Sequence, residues 1–235
     1  MNIFIFGKNA KKIEGLVKSF GFVISKKAEV IISLGGDGTL LSSERHFPGT
    51  PKLPIRDSEN CIKCPKHQEE IILEKLKNNE LNLTKHQKLK AEFKKNTLVA
   101  LNDIVIRNAL PTDAIRFLVS LNGKLLVDDQ FIGDGVVAST PFGSSGYFKS
   151  ITQRIFSQNF QMALNNPTTP HKPLEFKDGD LIQIDIKRGP ASLSSDNNPK
   201  IFKLNHSDCI LIQPASAYAY IYSPENLSCL ECRKV

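Results

Sequence analysis

The chain has 235 residues, 40% of them hydrophobic, and a formal net charge of +7. That much apolar material supports a packed core and excludes global disorder; the lack of any 18-residue apolar run excludes a membrane-spanning helix. The basic balance favours anionic partners such as nucleotides and polyphosphates. The densest lysine run (Lys85, Lys88, Lys90, Lys94, Lys95) lacks the aromatic platform of a single-strand binder, so neither nucleic acid nor a membrane is an expected partner.

In chain order, residues 2–6 read as a short buried strand. No basic leader or small-residue cleavage site accompanies it, so a signal peptide is not expected and the expected location is cytoplasmic. Gly7 opens a helix running to about Phe20, with Ile13, Leu16, Val17 and Phe20 at helical spacing. Residues 29–34 form a second apolar strand ending in Gly35-Gly36-Asp37-Gly38-Thr39, and 40–46 begin another helix. Strand, helix, strand, Gly-rich loop, helix implies a parallel sheet with the loop at a strand's carboxyl end.

Residues 47–65 carry several prolines and few apolar side chains and are expected to be loop. A helix is expected from 67 to 79 through Ile71, Ile72 and Leu76, and alternation appears over 82–93. Strands are then expected over 100–107, 114–121, 124–127, 135–139, 181–186, 201–204 and 208–213, a spacing that suggests a β-rich second lobe. Asn122-Gly123 between two of them signals a type I′ hairpin turn. The first lobe is expected to span 1–96, the second 97–220, and the tail 221–235.

Three segments carry chemistry. In the first, Gly35, Gly36 and Gly38 let backbone approach a ligand and point N–H groups at phosphate, helped by the helix start that follows. Asp37 is awkward in such an anion-binding loop unless it binds Mg²⁺ or takes a proton from an attacking hydroxyl. The second, Asn102-Asp103, opens an apolar strand with two poor strand residues. The third runs from Gly133-Asp134-Gly135 through Thr140-Pro141-Phe142-Gly143-Ser144-Ser145-Gly146-Tyr147, rich in small hydroxyl residues suited to ribose and phosphate.

In this order the segments resemble the NAD kinase family, over most of the chain from Glu29 to about Tyr222. Its pattern is Gly-Gly-Asp-Gly-Thr, then Asn-Glu/Asp opening a strand, then Gly-Asp-Gly and Thr-Pro-Thr-Gly-Ser-Thr-Ala-Tyr. The first motif is shared with diacylglycerol, sphingosine and 6-phosphofructokinases; the others select NAD kinase. The resemblance implies an α/β plus β fold, with a Rossmann-like N-terminal lobe, a β-sandwich C-terminal lobe, the site in the cleft between them and a C-terminal tail that returns to the first lobe. It implies Asp37 as general base on the adenosine ribose 2′-hydroxyl, with Gly35, Gly36, Gly38 and Thr39 on phosphates. It places Asn102 and Asp103 on NAD, Asp134 near the nicotinamide end, and Ser145, Gly146, Tyr147 and Ser150 around the adenosine. Asp196 resembles the late Asp of the family's Val-Asp-Gly turn, with Asn197 in place of Gly. Expected ligands are NAD or NADH, ATP or polyphosphate with Mg²⁺, and the expected assembly is a homodimer or homotetramer.

Phe142 stands where the family usually has Thr, and Ser150-Ile-Thr-Gln-Arg replaces its Gly-Gly-Pro. These departures resemble a shortened branch of archaeal or mitochondrial type, and leave two competing readings, a lipid or sphingoid-base kinase and a nucleotide sensor without turnover. Four of the five cysteines form two Cys-x-x-Cys pairs, Cys61 with Cys64 and Cys229 with Cys232. They have the spacing of a structural zinc site, with His67 as a spare ligand. Cys209, in an apolar run, is expected in the core.

Overall fold

The computed structural model describes residues 1–57 and 69–223. The chain divides into two compact units, Met1–His86 joined by the chain from Tyr218 onward, and Gln87–Ala217.

The first unit is built on a parallel sheet. Strand β1 (Asn2–Phe6) alternates half-buried and buried residues and leads through a 3₁₀ turn (Ala10–Ile13) into helix α1 (Glu14–Ser19). It lies between β2 (Val23–Ile24) and β3 (Val30–Leu34), whose five residues are all buried, as a central parallel strand requires. Helix α2 (Asp37–His46) follows, then β4 (Lys52–Ile55), parallel to β3, and helix α3 (Glu69–Lys77). The core joins Ile3, Ile32, Leu53 and Val17 with Leu73 and Leu76 of α3. β4 falls where a loop was expected. Pro51 and Pro54 obscure it, yet Pro54 pairs in register with Ser33 and the Pro51 carbonyl accepts Ile31 N–H at 2.8 Å.

The chain passes between units within two long strands, β5 (Asn82–Phe93) and, at the far end of the sequence, β17 (Cys209–Ser223). The second unit is a β-sandwich. One sheet runs β13 (Leu174–Phe176), β12 (Phe160–Asn165), β11 (Gly135–Ser139), β7 (Asp103–Asn108), β15 (Ala191–Ser195) and β16 (Phe202–Leu204). The facing strands are β6 (Asn96–Ala100), β8 (Ile115–Leu121), β9 (Lys124–Leu125), β10 (Phe131–Gly133) and β14 (Ile182–Arg188), with the parts of β5 and β17 that belong to this unit. Leu89, Ile104, Phe117, Val136, Phe176, Ile184 and Ile212 share one core, the interior of two sheets face to face. A short helix, α4 (Tyr147–Thr152), follows β11.

The single strand expected over 100–107 is two, β6 and β7, broken at Leu101-Asn102. Four strands of this unit (β10, β12, β13 and β15) have no counterpart in the sequence reading. Asn122 and Gly123 both take positive φ, 52° and 80°, as a type I′ turn requires. Cys209 is exposed: it opens β17, and strand alternation sends its neighbours Ile210 and Ile212 inward. A one-residue phase shift in a strand reverses every side chain, which corrects the expected core placement.

Candidate active site

In the first unit, β3 delivers the chain to Gly35, whose φ of 153° and contact with Thr39 demand glycine. A Cβ there would lie 2.3 Å from Thr39 Oγ1. Gly35 N–H donates to the Ile55 carbonyl at 2.8 Å, tying the loop to β4. Gly36 is the extended N-cap of α2, and Thr39 and Leu40 amides turn back to its carbonyl at 2.9 and 3.2 Å. The helix therefore begins at Asp37, inside the motif, three residues earlier than the sequence reading placed it. A carboxylate in the first helical turn is favoured by the amide ends there. Gly36, Asp37 and Gly38 are all exposed, while Gly35 and Thr39 are half-buried.

The loop is fixed by polar contacts that no motif announces. Ser33 of β3 and Ser43 of α2 share a buried hydroxyl bond at 2.6 Å. Lys52 of β4, wholly buried, gives its ammonium to Glu44 Oε2 and to the Phe47 and Thr50 carbonyls, both at 2.6 Å. Glu44 Oε1 accepts Gly49 N–H at 3.0 Å. All three ammonium hydrogens are used, which is the condition for burying a lysine. A pocket of about 460 Å³ opens beside Gly38 and Thr39, lined also by Phe4, Phe6, Gly7, Lys8 and His46.

In the second unit, the turn between β6 and β7 presents Asn102 and Asp103. Gly143 packs against it so closely that a Cβ would lie 2.3 Å from the Asn102 carbonyl oxygen. That carbonyl accepts Thr140 N–H at 2.9 Å, and the Thr140 hydroxyl donates to Leu101 O at 2.6 Å while accepting Gly143 N–H at 3.0 Å. The hydroxyl-rich segment is thus folded onto the Asn-Asp turn. Asn102 Oδ1 is buried and makes no hydrogen bond among the described residues. Asp103 is 7% exposed. Burial first, and the neighbouring Asp196 carboxylate second, push its carboxyl up to about 7.

Asp134 stands at the other end of β7. In the β7–β11 ladder Asp103 faces Ser139 and Arg107 faces Gly135, so Asp134, one residue beyond Gly135, stands about 17 Å along the strand from Asp103. Gly133 and Gly135 flank Asp134 because backbone crowds them; a Cβ on Gly135 would meet Ile106 O at 1.9 Å. The Asp134 carboxylate accepts the Asn108 and Asn166 amides at 3.5 and 3.2 Å. Tyr147 reaches toward this end, its hydroxyl accepting Asn165 Nδ2 at 3.0 Å. Ser145 and Gly146 are exposed, and Ser150 Oγ donates to the Tyr147 carbonyl at 2.7 Å. The segment from Thr140 to Tyr147 therefore links the Asn102 end to the Asp134 end.

Cys61, Cys64, Cys229 and Cys232, with His67, lie outside the described residues. Among the described residues no group of three or more His, Cys, Asp or Glu could hold a metal ion, and no helix is long and apolar enough to cross a membrane.

No family model matches the chain. It is 27% identical over 217 residues to an NAD kinase of Caldanaerobacter subterraneus subsp. tengcongensis, covering 86% of this chain and 76% of that one. It is 28% identical over 204 residues to a bifunctional NADP phosphatase/NAD kinase of Methanocaldococcus jannaschii, covering 81% of this chain and 35% of that one. Its fold matches yeast NADH kinase, solved with NADH, at a TM-score of 0.83 and 17% identity over 96% of this chain and 84% of that one. The NAD kinase of Archaeoglobus fulgidus, solved with ATP, matches at 0.78 and 18% identity over 97% and 95%.

Proposed function

We propose that this chain, which belongs to the NAD kinase family, phosphorylates the adenosine ribose 2′-hydroxyl of NAD or NADH. The observation that carries the reading is Asp37, the one carboxylate of a glycine-built anion loop, exposed at the head of an anchored helix. Asp37 takes the proton of the 2′-hydroxyl as the terminal phosphoryl group of ATP or polyphosphate transfers to its oxygen. Gly35, Gly36, Gly38 and Thr39 form the loop that holds the donor phosphates, with the Gly35 and Thr39 N–H groups shaping it through their bonds to the Ile55 and Gly36 carbonyls. Asn102 and Asp103 hold the dinucleotide, a role supported by the Asn102 Oδ1 acceptor, buried without a partner among the described residues. Asp134, Ser145, Gly146, Tyr147 and Ser150 line the rest of its length.

Mg²⁺ that arrives on phosphates needs only one or two protein carboxylates. Asp37 fits that demand, since it is exposed beside the loop. Bound there, the ion would neutralise charge on the transferring group. The comparisons do not support the lipid-kinase or sensor alternatives. For the two Cys-x-x-Cys pairs, spacing alone supports a structural zinc, which elemental analysis of the purified chain tests.

The deciding assay incubates the chain with NAD or NADH, ATP or polyphosphate, and Mg²⁺, and detects the 2′-phosphorylated product with an NADP-specific dehydrogenase. Product that disappears in Asp37→Asn is the expected result; full activity in that variant would remove Asp37 from its role.

A further inference from the structure

Asp196 belongs to none of the segments just assigned, yet it is the most connected carboxylate in the second unit. It sits just past β15 with φ of 47°, a left-handed conformation that Asp tolerates better than most residues. Its carboxylate accepts three consecutive backbone amides, Leu101 at 2.8 Å, Asn102 at 2.7 Å and Asp103 at 3.2 Å. Its own N–H returns to the Asp103 carbonyl at 3.0 Å. Consecutive amides converging on one anion are the geometry by which proteins bind phosphate; here the anion is a side chain of the protein itself.

We propose that Asp196 is a positioning residue of the dinucleotide site, holding the Leu101–Asn102–Asp103 turn by its three amides and setting the charge state in which Asp103 meets its ligand. The hold on the turn follows from geometry; its consequence for NAD rests on the reading above. Without Asp196, three part-buried amides of a turn broken out of the β6–β7 run lose their acceptor. The turn then has no reason to keep the Asn102 amide and the Asp103 carboxylate in place.

The charged groups acting on this pair are few. Burial raises Asp196, while the three amides and Lys88 of β5 pull it back toward ionisation. Asp103 is raised by burial and by Asp196, with no cation opposing. Burial thus raises both carboxylates, and only at Asp196 do hydrogen bonds and a lysine oppose it.

The test uses the full chain and the variants Asp196→Asn, which keeps one acceptor oxygen without the charge, and Asp196→Ala, which keeps neither. Carbon-13 carboxyl NMR follows the Asp103 titration, and hydrogen exchange follows the amides of 101–103, both without ligand. In Asp196→Asn the Asp103 midpoint moves to lower pH. In Asp196→Ala the three amides exchange faster, and the Michaelis constant for NAD rises by roughly tenfold or more, while kcat falls less. Should Asp196→Ala not fold, Asp196→Asn alone carries the test, since it is isosteric. An unmoved Asp103 midpoint in folded Asp196→Asn would overturn the proposal, as would unchanged exchange at all three amides in folded Asp196→Ala. A wild-type chain that shows both ligand-free effects but binds no NAD would instead sink the functional reading and leave the hold on the turn standing.

Discussion

The two carboxylates on which the reading turns, Asp37 and Asp103, live in opposite surroundings. Asp37 stands in solvent on a loop whose chemistry lies within five consecutive residues. Asp103 is buried, flanked by a second carboxylate, in a turn assembled from residues 101–103, 140–143 and 196. An exposed carboxylate is open to a substrate hydroxyl. A buried one must have its charge managed by neighbours far away in sequence. In the proposed reading, the first unit supplies the reactive carboxylate on an anchored loop and the second supplies recognition from a buried, crowded turn.

The largest expected effect lies on the exposed side. Asp37→Asn should lower kcat by about 10²–10⁴-fold, the usual worth of a general base, with little change in melting temperature because the side chain packs against nothing buried. Steady-state kinetics beside thermal melts check both halves. A large loss of stability would show that Asp37 is structural and erase the contrast.

The mount of that loop is the next target. Lys52→Met leaves Glu44 buried without its cation, and should destabilise the chain by about 3–5 kcal/mol. Lys52→Met combined with Glu44→Leu should recover most of the loss, because an apolar pair of similar volume needs no charge partner. Chemical denaturation of the three chains decides it. Equal stability of the single and double variants would mean that the buried pair contributes through packing alone.

How much of this was legible in the sequence follows the same division. The local structure of the glycine loop could be read whole, because strand, glycines, acid and helix are contiguous. The order β1, helix, β3, loop, α2 emerged from periodicity alone. Strand β4 did not, since Pro51 and Pro54 signal loop, and only pairing to β3 makes Lys52–Ile55 extended. The buried role of Lys52 was equally silent, for a lysine reads as surface until its three acceptors are seen. In the second unit Asn102, Asp103 and Asp134 were found as motif residues. That Asp134 sits a full strand away from Asp103 is a property of the β7–β11 register. Asp196 carries no local signal of its hold on residues 101–103, which lie more than 90 positions earlier.

Two glycine substitutions sharpen the comparison at smaller cost. Gly143→Ala drives a Cβ into the Asn102 backbone, and should cost about 1–3 kcal/mol of stability, as overpacking does, while weakening NAD binding. Gly36→Ala meets nothing within 4 Å and sits at φ −96°, so it should leave stability within about 0.5 kcal/mol of wild type. Calorimetric melts of the two, side by side, measure how tightly the glycine loop and the Asn102 turn are each packed. Equal losses would contradict the picture of an open loop and a crowded turn.

The smallest effect tests the buried carboxylate itself. Asp103 has its carboxyl raised from 3.8 to about 7 in the folded chain. Between those values the folded state holds a proton that the unfolded state has released. Its contribution to stability is therefore complete below about pH 4 and is lost as pH rises through about 7. Asp180 is shifted the other way by hydrogen bonds from Asn122 and Lys177, and Asp208, against the effect of burial, by those from Asn205 and Lys94. Their contributions are fully present above the usual carboxylate range and are lost only as pH falls below it, outside the window that matters. The wild-type chain should thus lose melting temperature between pH 5.5 and pH 8, and Asp103→Asn, which cannot ionise, should lose less. If ionised Asp103 is the form that binds dinucleotide, wild-type affinity should rise over the same interval while its stability falls. Identical pH dependence of melting in the two chains would place Asp103 in a solvated setting like that of Asp37, and the division of labour between the two carboxylates would collapse.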